Sequence, residues 1–452
     1  MDRPAPLTVE ETKSYLEKKG YFELKTVLQA HLSPDIVEII DDLETAEQVF
    51  VFRLLSKEMA AEVFSLLDRD DQEELLLHFS NETVQHVIEE MDPDDLTELF
   101  DELPDDLVKR LIPLLSPEDR SVVSRLLNYP EESAGRLMTP AFIELTSDKT
   151  TDEAIALIRK VGLDKETIYY SYVTDEKHRL VGVVSLKDLL LAPPGEAVEK
   201  IMTETVVYSN TVEDQEEVAK LLSKYDISAV PVVDKERKLV GIITIDDVVD
   251  VITEEATEDF HKMVGIEAPE DDYFGTSFVV LGRKRALWLV ILLVMSYLSS
   301  IVLKNYADIL QIVIPLAFFI PMLTGTCGNT GMQSATLVIR GLATGEIEPS
   351  DFTRIFLREV LMGGFLGVIL GLFSFIRAHF VDVNPFVGIA VGCAVFISVI
   401  VSNLIGSILP MILRMLKIDP AISAGPFITT IVDVTSLILY FEIAKLIFGI
   451  AG

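Results

Sequence analysis

Asp433 stands alone in a run of apolar and uncharged residues, 421–441, long enough to cross a bilayer. A carboxylate at membrane depth is costly, so it is rare and faces a bundle interior or a water-filled path. Gly425, Thr429, Asp433 and Ser436 recur at i, i+4, i+8 and i+11, which sets them along one helical face. Counted from Ala421, Asp433 lies about 18 Å into the span at 1.5 Å per residue, too deep to snorkel. A structural Asp bonded to a neighbouring helix is one reading. A cation site or proton relay is the other, favoured because the polar face continues on both sides. The ligands on offer are oxygens, and no His or Cys accompanies Asp433 on its own helix. That points away from soft metals and toward a hard, hydrated divalent cation. Glu442 and Lys445, spaced i, i+3, read as an interfacial pair with no role in the pathway.

A second constellation is acidic. The run 245–263 carries Asp246, Asp247, Asp250, Glu254, Glu255, Glu258 and Asp259, with little counter-charge before His261 and Lys262. Like charges at i, i+4 destabilise a helix, and a bound cation would remove that cost. A solvated linker helix is the alternative. Its place just before the first hydrophobic stretch suits a gating connector.

The elements that must position these residues fall into two unlike halves. The chain has 452 residues and a net charge of −34. From Arg283 onward there are 11 basic and 9 acidic residues, leaving 27 basic and 63 acidic in the first 282. An acidic soluble half thus precedes a nearly neutral hydrophobic half, which excludes nucleic acid as a natural partner and admits cations. Cys327 and Cys393 both lie in hydrophobic stretches, so neither a disulfide framework nor a zinc spacing is available. The first residues lack the apolar core of a signal peptide, which predicts a cytosolic N-terminus. Nucleophile–base pairs, phosphate-cradling loops and catalytic metal spacings are missing, so an enzyme is not expected.

Five hydrophobic stretches are read at roughly 286–304, 309–339, 355–377, 385–414 and 421–449. Basic residues cluster at 283–285, around Arg340, Arg354 and Arg358, and at Arg414 and Lys417. With five spans these fall on the cytosolic side and the C-terminus ends outside. The second stretch holds Pro321, glycines at 325, 328 and 331, and Thr324, Thr326, Asn329, Thr330 and Gln333. Close helix packing explains the glycines; irregular backbone around Pro321 lining a cavity is the alternative. Asn329 and Gln333 both need partners, and Asn329 joins the candidate pore ligands. Five helices make a thin wall, so a homodimer is expected.

In the soluble half, Ser33-Pro34, Asp92-Pro93, Leu103-Pro104 and Ser116-Pro117 each put Pro in a first helical turn, predicting a stack of short helices. Residues 138–255 contain an internal repeat. Met138-Thr139 returns as Met202-Thr203, and the run 180–190 returns as 239–249. Each unit reads β-α-β-β-α and strongly resembles a CBS domain, a regulatory module that often binds adenine nucleotides.

On these motifs, together with the runs 324–347, 425–440 and 244–262, the whole chain resembles the MgtE family of bacterial magnesium channels. The resemblance implies a multidomain membrane protein: an α-helical N domain (1–130), α/β tandem CBS domains (131–245), a connecting "plug" helix and linker (246–282), and a five-helix all-α transmembrane domain (283–452). It implies a homodimer in the inner membrane whose pore Asp433 binds hydrated Mg²⁺. It further implies that Mg²⁺ closes the pore by bridging acidic groups: Asp95 in the N domain; Asp214, Glu216 and Asp226 in the second CBS unit; Asp247, Asp250, Glu255, Glu258 and Asp259 on the connecting helix; and Asp419 before the last span. ATP at the CBS pair, through Tyr170 and Asp188, is implied as well. An ion-coupled secondary transporter using Asp433 as a proton or Na⁺ carrier is the competing function.

Overall fold

The computed structural model describes residues 7–263, 277–381, 384–421 and 425–450. The chain divides into two compact units, Met1–Ile252 and Thr253–Gly452. The part of the expected linker at 264–276 lies outside the described residues.

The first unit begins with short helices from Val9 to Leu126, none longer than ten residues there. Helices this short are marginal in water, so their stability must come from packing. They share one core that includes Leu24, Ile36, Phe64, Leu76 and Ile88, all fully buried. Phe52 and Phe79 meet edge to face with ring centroids 5.3 Å apart. The proline punctuation acts as expected at three of four places. Pro93 opens Pro93–Glu102, Pro117 opens Pro117–Leu126, and Pro34 lies in the first turn of Ser33–Asp41. Pro104 instead is the extended cap before Asp105–Leu111, with ψ 141°.

The repeat folds into two three-stranded sheets of the same topology. In the first, β1 (Glu144–Thr146) runs parallel to β2 (Tyr170–Thr174), which is antiparallel to β3 (Leu180–Ser185). In the second, β4 (Ser209–Asn210), β5 (Ala229–Val233) and β6 (Leu239–Thr244) repeat that order. Helices Thr151–Val161 and Gln215–Tyr225 follow β1 and β4, completing the expected β-α-β-β-α pattern. The repeated motifs are exchanged. Thr139 bridges Ile242 of the second sheet, with N···O distances of 2.8 and 2.9 Å, and Thr203 bridges Val183 of the first. A Cβ on Gly241 would meet Met138 Sδ at 2.6 Å, and one on Gly182 would meet Met202 Sδ at 2.6 Å. Glycine at each position thus lets a methionine lie close on the other repeat's strand.

A 19-residue helix, Ile245–Met263, leaves β6, and the division between the units falls within it. In the second unit the five expected stretches appear as five long helices: Phe278–Asn305, Ile320–Ala343, Phe352–Val381, Pro385–Met415 and Pro426–Phe448. The first, third and fourth are long and apolar enough to cross a membrane. The second and fifth, of 24 and 23 residues, carry the polar groups. Two expectations are corrected. The backbone around Pro321 is regular, because Pro321 opens the second helix where its missing N–H is no loss. The irregular stretch comes earlier, as a short helix Ala307–Ile312 and a 3₁₀ segment Ile314–Phe319. The last helix starts at Pro426 rather than 421, so Asp433 lies about 10 Å into it.

Candidate cation sites

Asp433 sits on the fifth long helix facing the second. A Cβ built on Gly328 would lie 3.9 Å from both Asp433 Oδ1 and Thr429 Cγ2, an ordinary contact distance, so this glycine of the second helix packs directly opposite the carboxylate. Asp433 is half-buried. Among the described residues no hydrogen bond or ion pair reaches its carboxylate. Thr429 shares this face, and its hydroxyl donates to the Gly425 carbonyl at 2.9 Å. Gly425 is therefore the cap of the helix rather than a member of its stripe. Ser436 is turned inward, 1% exposed, and donates to the Asp433 carbonyl at 3.1 Å.

On the second long helix Gly325, Asn329, Gln333, Thr336 and Arg340 are all exposed. Their spacing of three to four residues makes one polar stripe on a hydrophobic helix. Asn329 belongs to that stripe, while Gly328 next to it faces Asp433. The stripe was legible in the sequence only up to Gln333, because Thr336 and Arg340 pass for ordinary residues near a helix end.

Sequence reasoning missed one neighbour of Asp433. Cys327, on the second long helix, is fully buried and close enough for the Asp433 charge to act on its thiol. The expectation of an all-oxygen environment considered a single helix; packing supplies sulfur from another.

The first unit gathers a different site. Asp94 and Asp95 on helix Pro93–Glu102 meet Glu166 and the first turn of the connecting helix, Asp246 and Asp247. Burial, reinforced by neighbouring carboxylates, raises Asp95 and Asp247 to about 6 and Glu166 to about 7. Burial and the Asp247 charge push Asp94 well above the usual carboxylate range. Thr244 donates to Asp247 at 2.9 Å, which lowers its pKa only in part. Asp94 Oδ1 is buried with no hydrogen-bond partner. The expected Asp95 and Asp247 thus come together, with Asp94, Glu166 and Asp246 added. In the sequence the Asp92–Asp95 run reads as helix capping, and nothing there singles out Glu166. No group of three or more acidic, His or Cys side chains is close enough to cage a metal among the described residues. The cluster is a zone of uncompensated negative charge rather than a preformed coordination sphere.

Other expected residues already have local duties. Asp214 caps helix Gln215–Tyr225 by accepting from the Glu216 N–H at 2.9 Å, and Glu216 pairs with Lys220 at 2.9 Å. Asp226 ends the same helix in the left-handed conformation, φ 52°. Asp214 and Asp226 are thus about 18 Å apart along the helix and cannot share one ion. On the connecting helix, Glu258 and Lys262 form an ion pair of 2.6 Å, and Lys262 also reaches Asp419 at 2.9 Å. Burial works against the Lys262 charge, but hydrogen bonds to Glu258 and Asp419 outweigh it and raise its pKa. Asp250, Glu255 and Asp259 extend along the same helix. A Cβ on Gly425 would collide with the Met263 carbonyl, so the end of the connecting helix abuts the start of the last helix. Tyr170 pairs with Ser185 across β2 and β3, and the Ser185 hydroxyl donates to Asp188 at 2.6 Å. Tyr170 and Asp188 therefore share one end of the first sheet.

Comparison with known proteins matches these regions to family models. The model described as MgtE, divalent cation transporter, matches residues 320–443; the MgtE intracellular N domain matches 33–132; CBS domains match 134–195 and 198–254. The magnesium transporter MgtE of Thermus thermophilus is 40% identical over 94% of this chain and 95% of its own length. That of Bacillus subtilis is 35% identical over 91% of this chain and 85% of its own. Among solved structures, the cytosolic domain of the Mg²⁺ channel MgtE in complex with ATP superposes with a TM-score of 0.53 at 39% identity, covering 54% of this chain and 99% of that one. The soluble part of a magnesium transporter does so at 0.52 and 29%, covering 55% of this chain and 98% of that one.

Proposed function

Because this chain belongs to the MgtE family of divalent cation transporters, we propose that it is a Mg²⁺-selective channel that cytosolic Mg²⁺ closes. The observation that carries the proposal is Asp433: a half-buried carboxylate on the last long helix, opposite Gly328 of the second, with no donor among the described residues. Mg²⁺ dehydrates reluctantly and is held through its waters by one or two carboxylates. A lone half-buried Asp suits such an ion better than a dehydrating cage would. Thr429 and the Gly425 carbonyl line the approach, and Asn329 stands on the exposed polar stripe beside it. That stripe calls for a partner surface or water at membrane depth, which supports a homodimeric pore. The chain then crosses a bacterial plasma membrane five times, with the N-terminus in the cytosol and the C-terminus outside.

Closure follows from charge. Mg²⁺ between Asp94, Asp95, Glu166 and Asp247 offsets their repulsion and holds the N domain to the CBS pair. Asp250, Glu255, Glu258, Asp259 and Asp419 act in the same sense around the connecting helix, whose end meets Gly425. Asp214, Glu216 and Asp226 contribute at the second CBS unit. ATP binds the CBS pair near Tyr170 and Asp188, supported by the ATP complex of the structural neighbour. The test is electrical. Purified protein in planar bilayers should pass Mg²⁺ current with no proton or Na⁺ gradient, and cytosolic-side Mg²⁺ should close it. Flux that requires such a gradient would instead assign coupled transport.

A further inference from the structure

Glu359 lies about 10 Å into the third long helix, Phe352–Val381, where a carboxylate is costly to bury. It is half-buried and reaches the second long helix. The Ser334 hydroxyl of that helix donates to Glu359 Oε2 at 2.8 Å and to the Asn403 carbonyl of the fourth long helix at 3.1 Å. Ser334 and Asn403 are 4% and 3% exposed. One hydroxyl proton is thus shared between acceptors on two other helices, which fixes the oxygen in two directions. The Asn403 carbonyl alone would satisfy the hydroxyl. What the carboxylate adds is a hold from the third helix. The same stretch of the second helix meets the last helix. A Cβ on Gly331, one turn before Ser334, would lie 3.1 Å from Val432 and 3.3 Å from Ile428, and Gly328 packs opposite Asp433. A Cβ on Gly406 of the fourth helix would collide with the Gly331 carbonyl. Glycines at these contacts let backbones approach, but they offer no side chain to stop the second helix turning about its axis.

We propose that Glu359 is a positioning residue for the cation path, holding the second long helix through Ser334 in the rotation that sets Gly328 opposite Asp433. Ser334 and Gly328 belong to one regular helix, Ile320–Ala343, so a turn at the serine is carried to the glycine. Without the hold from the third helix, the second is free to rotate on its glycine contacts, and the surface facing Asp433 changes. Glu359 itself touches no ion. It acts on cation affinity only through the helix it tethers. The inference rests on the reading of Asp433 as the pore carboxylate.

The test uses full-length protein in proteoliposomes. Mg²⁺ uptake is measured against Mg²⁺ concentration, so that the half-saturating concentration is read separately from the maximal rate, and Tm is followed in detergent. Glu359→Ala should raise the half-saturating concentration about fivefold, the scale of one lost hydrogen bond. Ser334→Ala removes the same bond from the other side, should give the same shift, and serves should Glu359→Ala fail to fold. The two changes together should do no more than either alone, since they break one interaction. Glu359→Gln keeps an acceptor oxygen for Ser334 and should restore the half-saturating concentration to within about twofold of the parent. A lowered Tm with an unchanged half-saturating concentration overturns the positioning role while the Asp433 reading stands. So does additivity of the two alanine variants, or a Glu359→Gln variant no better than Glu359→Ala. Undiminished Mg²⁺ uptake by Asp433→Asn overturns the pore reading on which the inference rests.

Discussion

At the junction of the short helices and the paired sheets, five carboxylates, two of them at the start of the connecting helix, crowd together with no basic partner between them among the described residues. In the last long helix a single carboxylate stands among apolar and hydroxyl groups. The first site is rich in charge and poor in geometry, since no three of its acids are close enough to cage an ion. The second is poor in charge, yet held by a bundle in which Tyr440, Phe441, Ile428 and Val432 are almost wholly buried. Under the proposed function, sensing needs an assembly that comes apart when the ion leaves, which loosely opposed carboxylates would provide. Conduction, on the same proposal, needs a ligand that stays in place while ions pass, which a packed helix would provide.

The comparison can be broken most sharply at Asp433. Asp433→Ala should lower Mg²⁺ uptake about a hundredfold, near 3 kcal/mol at 1.4 kcal/mol per decade, measured in proteoliposomes. Thermal unfolding should change little, because no hydrogen bond is lost. At the other site the pattern should invert. Asp95→Asn, Glu166→Gln and Asp247→Asn together remove the repulsion that Mg²⁺ offsets. The Tm without Mg²⁺ should rise, and the further rise on adding Mg²⁺ should shrink by more than half. An undiminished Mg²⁺ response would show that the ion binds elsewhere.

Acidity offers a gentler probe. Asp95, Asp247 and Glu166 have folded pKa values of about 6, 6 and 7, above the ordinary carboxylate range. The folded state therefore holds protons that the unfolded chain has released. Their stabilising effect is complete below about pH 4 and is lost as pH rises through 6 to 7. Mg²⁺-free protein should melt at lower temperature at pH 8 than at pH 5.5, and added Mg²⁺ should matter more at pH 8. The smallest effect is expected in the membrane unit. Tyr440→Phe removes a buried hydrogen bond of 2.8 Å to the Leu316 carbonyl and should cost about 1 kcal/mol. Uptake should be nearly unchanged if packing rather than this bond fixes the wall behind Asp433.

Much of this arrangement was legible in the sequence, because its signals are local. Proline and cap residues marked the short helices, the repeated Met-Thr and Leu-Val-Gly motifs marked the paired sheets, and hydropathy marked the five long helices. What escaped was carried by packing. Glu166 looks like any surface acid until helix Pro93–Glu102 and the connecting helix approach it. Cys327 shares no helix with Asp433, so no periodicity could join them. Lys262 reads as a late counter-charge on its own helix, and its second partner, Asp419, is more than 150 residues away in the chain. The start of the last helix was misjudged because hydrophobicity continues through 421–425, whereas Pro426 sets where backbone hydrogen bonding begins.

The exchanged methionines carry a consequence for the chain as a heritable and manufacturable object. Met138 lies against Gly241 and Met202 against Gly182, so each repeat is finished by a segment borrowed from the other. Neither copy can be excised, permuted or duplicated alone without leaving a groove open on the survivor. A larger residue at either glycine displaces a methionine some 20 or 100 residues away in sequence. The two repeats are thereby bound to vary as a couple, and during synthesis the first cannot be completed until β6 of the second has emerged.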